Sequence, residues 1–322
     1  MYPRCIPALL AALTLAASAH AAEPYPTRPI TMIVPYTPAT GIDIVARTLG
    51  PKISERWGQP VVIDNKPGNS GNIGAAALAN ALPNGYSLMT TVITFAMTPA
   101  LSRTMPYDVL KDFTPVAEVA TGSMALAVNP AKLPVKSLAE LIAAARARPG
   151  QLNYASPGNG TPQHLGMELF KQRLNIDIVH VPYKGSAGAM NDLIGGQVEI
   201  AYLPVHTALP FAADGRLRIL AIAGNKRSIL AADVPSFKEL GYADMDIELW
   251  YGIFGPAKLP TEIVAKWERD LAGILQLADV KDGLLRQGLA PLFAPSDALG
   301  ALMKADVERW RAVVEKAGIQ PD

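Results

Sequence analysis

From Ile30 onward the apolar residues fall into short runs separated by stretches with helical spacing. ITMIVPY (Ile30 to Tyr36), PVVIDN (Pro60 to Asn65) and YSLMTTV (Tyr86 to Val92) read as strands, with helices over Ile42 to Trp57 and Asn72 to Ala81 between them. Such alternation predicts βαβ units and a mainly parallel sheet flanked by helices, an α/β fold. Ser137 to Arg148 reads as a helix with Ser137 as its cap and Glu140 at the third position. A second series follows: LNYAS (Leu152 to Ser156), a helix over Pro162 to Leu174, DIVHVPY (Asp177 to Tyr183), a helix over Ser186 to Ile194, then QVEIAYLPV (Gln197 to Val205) and LRILAIAG (Leu217 to Gly224). Two apolar runs, Val116 to Asn129 and Asp246 to Pro256, are longer than an ordinary strand. Read as extended segments crossing between two lobes, they make residues 123–246 an inserted second domain, with 22–122 and 247–322 forming the first. The C-terminal helices, Thr261 to Leu277 and Ser296 to Ala317, then pack back on the first lobe. Two consecutive domains are the alternative.

The N-terminus changes the picture of where this fold works. Arg4, an apolar stretch from Ile6 to Ala17 and the triplet Ala19-His20-Ala21 have the layout of a cleaved signal peptide over residues 1–21, which predicts export to a periplasm. That apolar stretch is well short of the roughly 20 residues a membrane-spanning helix needs. Cys5 is the only cysteine. The mature chain would then have no disulfide, thiolate metal site or cysteine nucleophile. Without Arg4 the 29 basic residues become 28, against 28 acidic ones, so the mature net charge is about zero. No basic stripe points to nucleic acid, and no charged amphipathic helix points to a membrane surface.

The candidate chemistry lies in three loops, each following a strand and opening a helix: PYTPATGID (Pro35 to Asp43), PGNSGNIG (Pro67 to Gly74) and SPGNGTPQHLG (Ser156 to Gly166). Helix N-termini present unpaired N–H groups and a positive dipole end, so their convergence suits an anion such as a carboxylate. In the first loop Thr37 and Thr40 supply hydroxyls, Gly41 permits close backbone approach, and Asp43 either favours the helix dipole or orders the loop. The glycines at 68, 71 and 74 are spaced G-x-x-G-x-x-G, not as in a dinucleotide fingerprint. The Lys-Ser/Thr of a phosphate loop and the G-x-S-x-G of a nucleophile elbow are both missing. In the third loop Gly158 and Gly160 expose backbone, Thr161 is the natural N-cap, Pro162 fits N1, and the dipole favours neutral His164. Pairing His164 with Glu168 leaves a metal without a third ligand, so neither a metal nor another cofactor is expected. Ser70 or Ser156 with His164 lacks the base and orienting carboxylate of a hydrolase. His180, in an apolar strand, reads as a core histidine, and His206 follows a strand end. Tyr183 and Lys184 form a fourth loop edge, and Trp250-Tyr251 read as hinge packing.

Taken in order, YPTRPITMIVPYTPATGIDIVAR, VVIDNKPGNSGNIGAAALANALPNGYSL, YDVLKDFTPVAEVA, LNYASPGNGTPQHLGMELF, HVPYKGSAGAMNDLIGGQVEI and WYGIFGPAKLP resemble the Bug-type (TctC-like) periplasmic substrate-binding proteins of tripartite tricarboxylate transporters. The resemblance runs from Tyr25 to about Gly318. It implies a two-lobed, type II periplasmic binding-protein fold with the ligand cleft between the lobes, no catalytic residues, and delivery of a small organic carboxylate to membrane permease subunits. The ligand would be a di- or tricarboxylate, an amino acid or an aromatic acid, bound by a monomer. The same fold also serves sensory proteins that act on a periplasmic signalling-kinase domain. Carried over, the contacts are Tyr36, Thr40, Ser70, Asn72, Ser156, Thr161 and His164, with Tyr183 and Lys184 at the edge. Thr37, Asp43, Gly71 and Gly160 lie in the same loops. Family members usually carry Gly-Gly where this chain has Ala39-Thr40, which adds a hydroxyl and a branched Cβ.

Overall fold

In chain order, β1 (Ile30–Val34), α1 (Gly41–Trp57), β2 (Val61–Asn65), α2 (Asn72–Ala79), β3 (Ser87–Val92) and α3 (Thr94–Leu101) open the fold. The structure is a computed structural model and describes residues 25–321 apart from 39, 243, 244 and 246. The signal-peptide reading of residues 1–21 therefore lies outside the described residues, as do Ala39 and Asp246. Two strands with a single residue between them, β4 (Phe113–Gly122) and β5 (Met124–Val128), follow. Next come α4 (Leu138–Ala147), β6 (Asn153–Ser156), α5 (Pro162–Leu174), β7 (Val179–Pro182), α6 (Ser186–Gly195), β8 (Ile200–Pro204), α7 (Val205–Ala213) and β9 (Arg218–Ala223). The chain ends with β10 (Leu249–Pro256), α8 (Thr261–Ile274), α9 (Ala278–Leu285), β11 (Leu289–Pro295) and α10 (Ser296–Lys316).

The strands form two sheets, ordered β11-β4-β10-β3-β1-β2 and β7-β6-β8-β5-β9, each flanked by helices. The expected α/β, two-lobed architecture is present. Most strands of each sheet run one way as expected, four of six and four of five, but both sheets are mixed. β1 pairs in parallel with β2 and β3, and β6 with β7 and β8, whereas β10 runs antiparallel to β3 and β4, β11 to β4, and β5 to β8 and β9. The reason is the crossing itself. β4 leads the chain out of the first sheet and β10 brings it back beside β4, so the two must run in opposite directions. The apolar run Val116 to Asn129 is accordingly two strands that change sheet at Ser123, not one.

Local chemistry explains most element ends. α4 starts at Ser137, whose Oγ accepts the Glu140 N–H at 3.2 Å, while the Glu140 carboxylate accepts the Lys136 N–H at 2.8 Å. α1 stops at Gly58, which takes up φ +64° and returns its N–H to the Ser54 carbonyl. Gly74 lets α2 approach the loop after β1, since a Cβ there would lie 2.9 Å from Pro35 Cα and 3.1 Å from the Lys66 carbonyl. The main apolar core runs across both sheets, with Trp250, Trp267 and Trp310 fully buried, and a smaller second cluster lies on the second sheet.

Candidate functional site

A cleft of about 670 Å³ is lined by loops and helices that flank both sheets, together with His180 of β7. One rim is built from the ends of β1 and β3 and the loop before α2. Tyr36 follows β1 and donates its hydroxyl to the Ser70 carbonyl at 3.1 Å; at 2.7 Å it meets the Thr94 hydroxyl, which must then be the donor. Burial pushes the Tyr36 pKa above its ordinary value, so it stays a neutral donor. The segment from Gly68 to Gly71 has positive φ throughout, including Asn69 at 47° and Ser70 at 53°. For two non-glycine residues this conformation costs of order 1–3 kcal/mol each, and such strain concentrates at ligand sites. Gly71 fits beneath Tyr36, whose hydroxyl would lie 3.2 Å from an added Cβ.

The other rim is the start of α5. Thr161 caps the helix by accepting the His164 N–H at 3.3 Å and itself donates to the Gly158 carbonyl at 2.8 Å. His164 Nδ1 accepts the Gly160 N–H at 3.0 Å, which places the proton of the neutral ring on Nε2. Behind it stands a column of rings: His164 and His180 stack with centroids 4.0 Å apart, and Tyr154 stacks on the far side of His180 at 4.8 Å. Tyr154 donates to Glu168 at 2.7 Å, and Lys171 reaches the same oxygen at 2.7 Å. Burial, then the neighbouring His164 and Lys171, lower His180 to about 3; burial also lowers His164. Both imidazoles are therefore neutral at pH 7.

Among the described residues lining this cleft there is no Asp, Glu, Lys or Arg, and its two histidines are neutral. What it offers is hydroxyls, the side-chain amides of Asn69, Asn159 and Gln320, and neutral imidazole with its proton on His164 Nε2. An anion held there would be met by uncharged donors and water, as the loop chemistry anticipates.

A sequence model described as "Tripartite tricarboxylate transporter family receptor" matches residues 45–319. Protein BugT of Bordetella pertussis is 36% identical over 299 residues, covering 92% of this chain and 91% of BugT. The chain belongs to this receptor family. Among solved structures, a protein of R. palustris solved with adipate is 35% identical with a TM-score of 0.75, the match covering 92% of this chain and all of that one. MatC from Rhodopseudomonas palustris with bound malate is 28% identical with a TM-score of 0.71, covering 90% of this chain and all of MatC. The family consists of periplasmic solute-binding proteins, not enzymes.

Within this receptor the residues singled out from sequence divide into three groups. Tyr36, Ser70, Gly160, Thr161 and His164 meet at the cleft. Asp43, Asn72 and Ser156 are buried behind it: Asp43 accepts from Arg47 and Asn65 at 2.9 Å each, Asn72 accepts from Tyr107, and Ser156 Oγ lies 2.7 Å from His180 Nε2. Gly71 is buried under Tyr36, and the Thr40 hydroxyl turns back to the Thr37 carbonyl at 3.0 Å, Thr37 itself being exposed. Tyr183 donates to Asp192 at 2.7 Å and Lys184 is exposed; neither lines this cleft. Gly41 does allow a close approach, but to the Tyr251 hydroxyl, 2.8 Å from where a Cβ would sit.

His180 differs from the core histidine expected: it is half-buried, and its ring lines the cleft. Also missed from sequence were Thr94 and Thr98 on α3, and Asn65. Asn65 joins the first loop together, giving its amide to the Tyr36 carbonyl at 3.0 Å and to Asp43, while Arg47 donates to its oxygen at 2.9 Å. Of the two roles open for Asp43, the hydrogen bonds therefore favour ordering the loop. Asn65→Ala is expected to lower stability by about 1–2 kcal/mol and to weaken ligand binding through Tyr36. Thermal melts beside calorimetric titrations check both parts.

Proposed function

We propose that the protein is an extracytoplasmic receptor that captures a small organic carboxylate between its two lobes and hands it to permease subunits of a tripartite tricarboxylate-type transporter. The observation that carries this reading is the cleft itself: the uncharged hydroxyls of Tyr36 and Thr94 face the start of α5, where neutral His164 carries its proton on Nε2. The adipate and malate in two related structures support the ligand class. On this reading residues 22–122 and 247–322 form one lobe and 123–246 the other, and the paired strands β4 and β10 act as the hinge about which they close. Residues 1–21 direct export to the periplasm and are then removed, and the mature receptor acts as a monomer.

A ligand that binds only the folded state stabilises it by RT ln(1 + [L]/Kd), about 2.7 kcal/mol at a hundredfold excess over Kd. For a chain of this size that corresponds to a rise in Tm of roughly 4 °C. The measurement is a thermal-shift screen of mature protein, unfolded and refolded beforehand to strip any bound molecule. Linear dicarboxylates, tricarboxylates, amino acids and aromatic acids form the panel. A flat response across all four classes would remove the reading.

A further inference from the structure

The cleft has a third wall that belongs to neither rim. After α10 the chain turns at Gly318, φ +66°, in a Schellman motif: the Ile319 N–H returns to the Val314 carbonyl at 3.1 Å and the Gly318 N–H to Glu315 at 3.1 Å. That turn brings Ala317 to Gln320 onto the cleft, beside Met97, Thr98 and Leu101 of α3. The segment is anchored on both sides. Beyond it, Arg103 Nε donates to the Pro321 carbonyl at 3.0 Å. Before it, Gln172 of α5 donates to the Val313 carbonyl at 3.0 Å, tying the end of α10 to the helix that carries the opposite rim. The two rims also touch here, since a Cβ on Gly160 would lie 2.8 Å from the Leu101 side chain.

We infer that this segment sets the length of ligand the cleft accepts, with Ile319 and Gln320 as the specificity-determining residues. The inference rests on the carboxylate reading above and deepens it to linear dicarboxylates. Ile319 is half-buried against the core and, with Met97 and Leu101, forms an apolar wall suited to a methylene chain. Gln320 is exposed, and among the described residues its amide meets the nearby Gly318 carbonyl at a long 3.4 Å, which leaves N–H donors for a distal carboxylate. The Tyr36 rim is fixed by strands and the His164 rim by ring stacking. The wall after α10 is where a one-residue change alters the space without disturbing either sheet.

The test is isothermal titration of the stripped mature protein with linear dicarboxylates from four to eight carbons and the monocarboxylates of equal length. For the wild type, one dicarboxylate length binds best. Ile319→Ala shifts that optimum one or two carbons longer. Gln320→Ala weakens the best dicarboxylate by about five- to thirty-fold and leaves its monocarboxylate counterpart unchanged; Gln320→Glu weakens it further. Should Ile319→Ala fail to fold, the two Gln320 variants, at an exposed position, still decide the matter. Dicarboxylate binding that is identical in wild type and variants overturns this inference and leaves the carboxylate reading standing. A wild type that binds no dicarboxylate overturns the inference too, and monocarboxylate binding in the same titrations shows whether the broader reading survives.

Discussion

Replacing Glu168 with alanine is expected to lower the stability of the folded protein by about 3–5 kcal/mol and to weaken ligand binding with it. Glu168 is buried and holds two partners on one oxygen, the Tyr154 hydroxyl and the Lys171 ammonium. The side chains of Lys171 and Glu168 are only 18% and 10% exposed, so truncation strands a cation in a site that water reaches poorly. The loss does not stop at the ion pair. Tyr154 is fully buried and forms the base on which His180 and then His164 stack. Releasing its hydroxyl frees the column that sets the second rim. Glu168→Gln keeps an acceptor for Tyr154 and should lose distinctly less. Urea denaturation of both variants measures the difference, and equal losses for Ala and Gln would assign the effect to the ion pair alone. Calorimetry then reports whether binding follows the ring stack or the charge.

How much of this was legible in advance depends on whether a feature is set by neighbours in sequence or by convergence in space. α5 was readable to the residue, Pro162–Leu174, because Thr161 caps it and Pro162 fits its first turn. The β1-α1-β2 unit was equally plain from its apolar run and helical spacing. β11 was missed because Pro291 and Pro295 argue against a strand, yet it sits at the edge of its sheet, where proline is tolerated. α3 escaped because Phe95 to Thr98 are all buried, leaving no polar face to show a period, and Pro99 interrupts it.

The site divides along the same line. Ser70, Gly160, Thr161 and His164 were found through loop and cap chemistry, which is local. Thr94 lies on the unread helix, and His180 reaches the cleft only because strand β7 lies beside β6, placing its ring between Tyr154 and His164. Gln320 follows a helix whose end no motif ties to a ligand. Convergence of this kind leaves no spacing rule in the sequence.

The pH dependence of stability should carry the mark of Glu118. This carboxyl sits on β4 where both neighbouring ladders slip, β10 between Tyr251 and Gly252 and β11 between Pro291 and Ala294. It is 6% exposed and borders a small cavity of about 120 Å³ shared with Glu248, Trp250, Asp306 and Arg309. Asp306 accepts the Trp250 indole N–H at 2.7 Å and an Arg309 N–H at 2.6 Å. Burial above all, then Glu248 and Asp306, raises Glu118 from 4.5 to about 7. Below about pH 4.5 the folded and unfolded chains both hold this proton, and the group has no effect on stability. As the pH rises toward 7 the unfolded chain gives up the proton while the folded one retains it, so stability falls across that window and levels off above it. The full effect is up to about 3 kcal/mol. Glu118→Gln removes the titration, and should raise Tm at pH 8 while changing it little at pH 4.5. The wild-type and variant melts are then compared at both values. A difference that stays constant with pH would mean that the Glu118 carboxyl titrates as it does in the unfolded chain. Because β4 leads directly into the second sheet, the same protonation acts at the base of the proposed hinge. Any pH dependence of ligand affinity that Glu118→Gln abolishes would trace to this strand and not to the neutral histidines of the cleft.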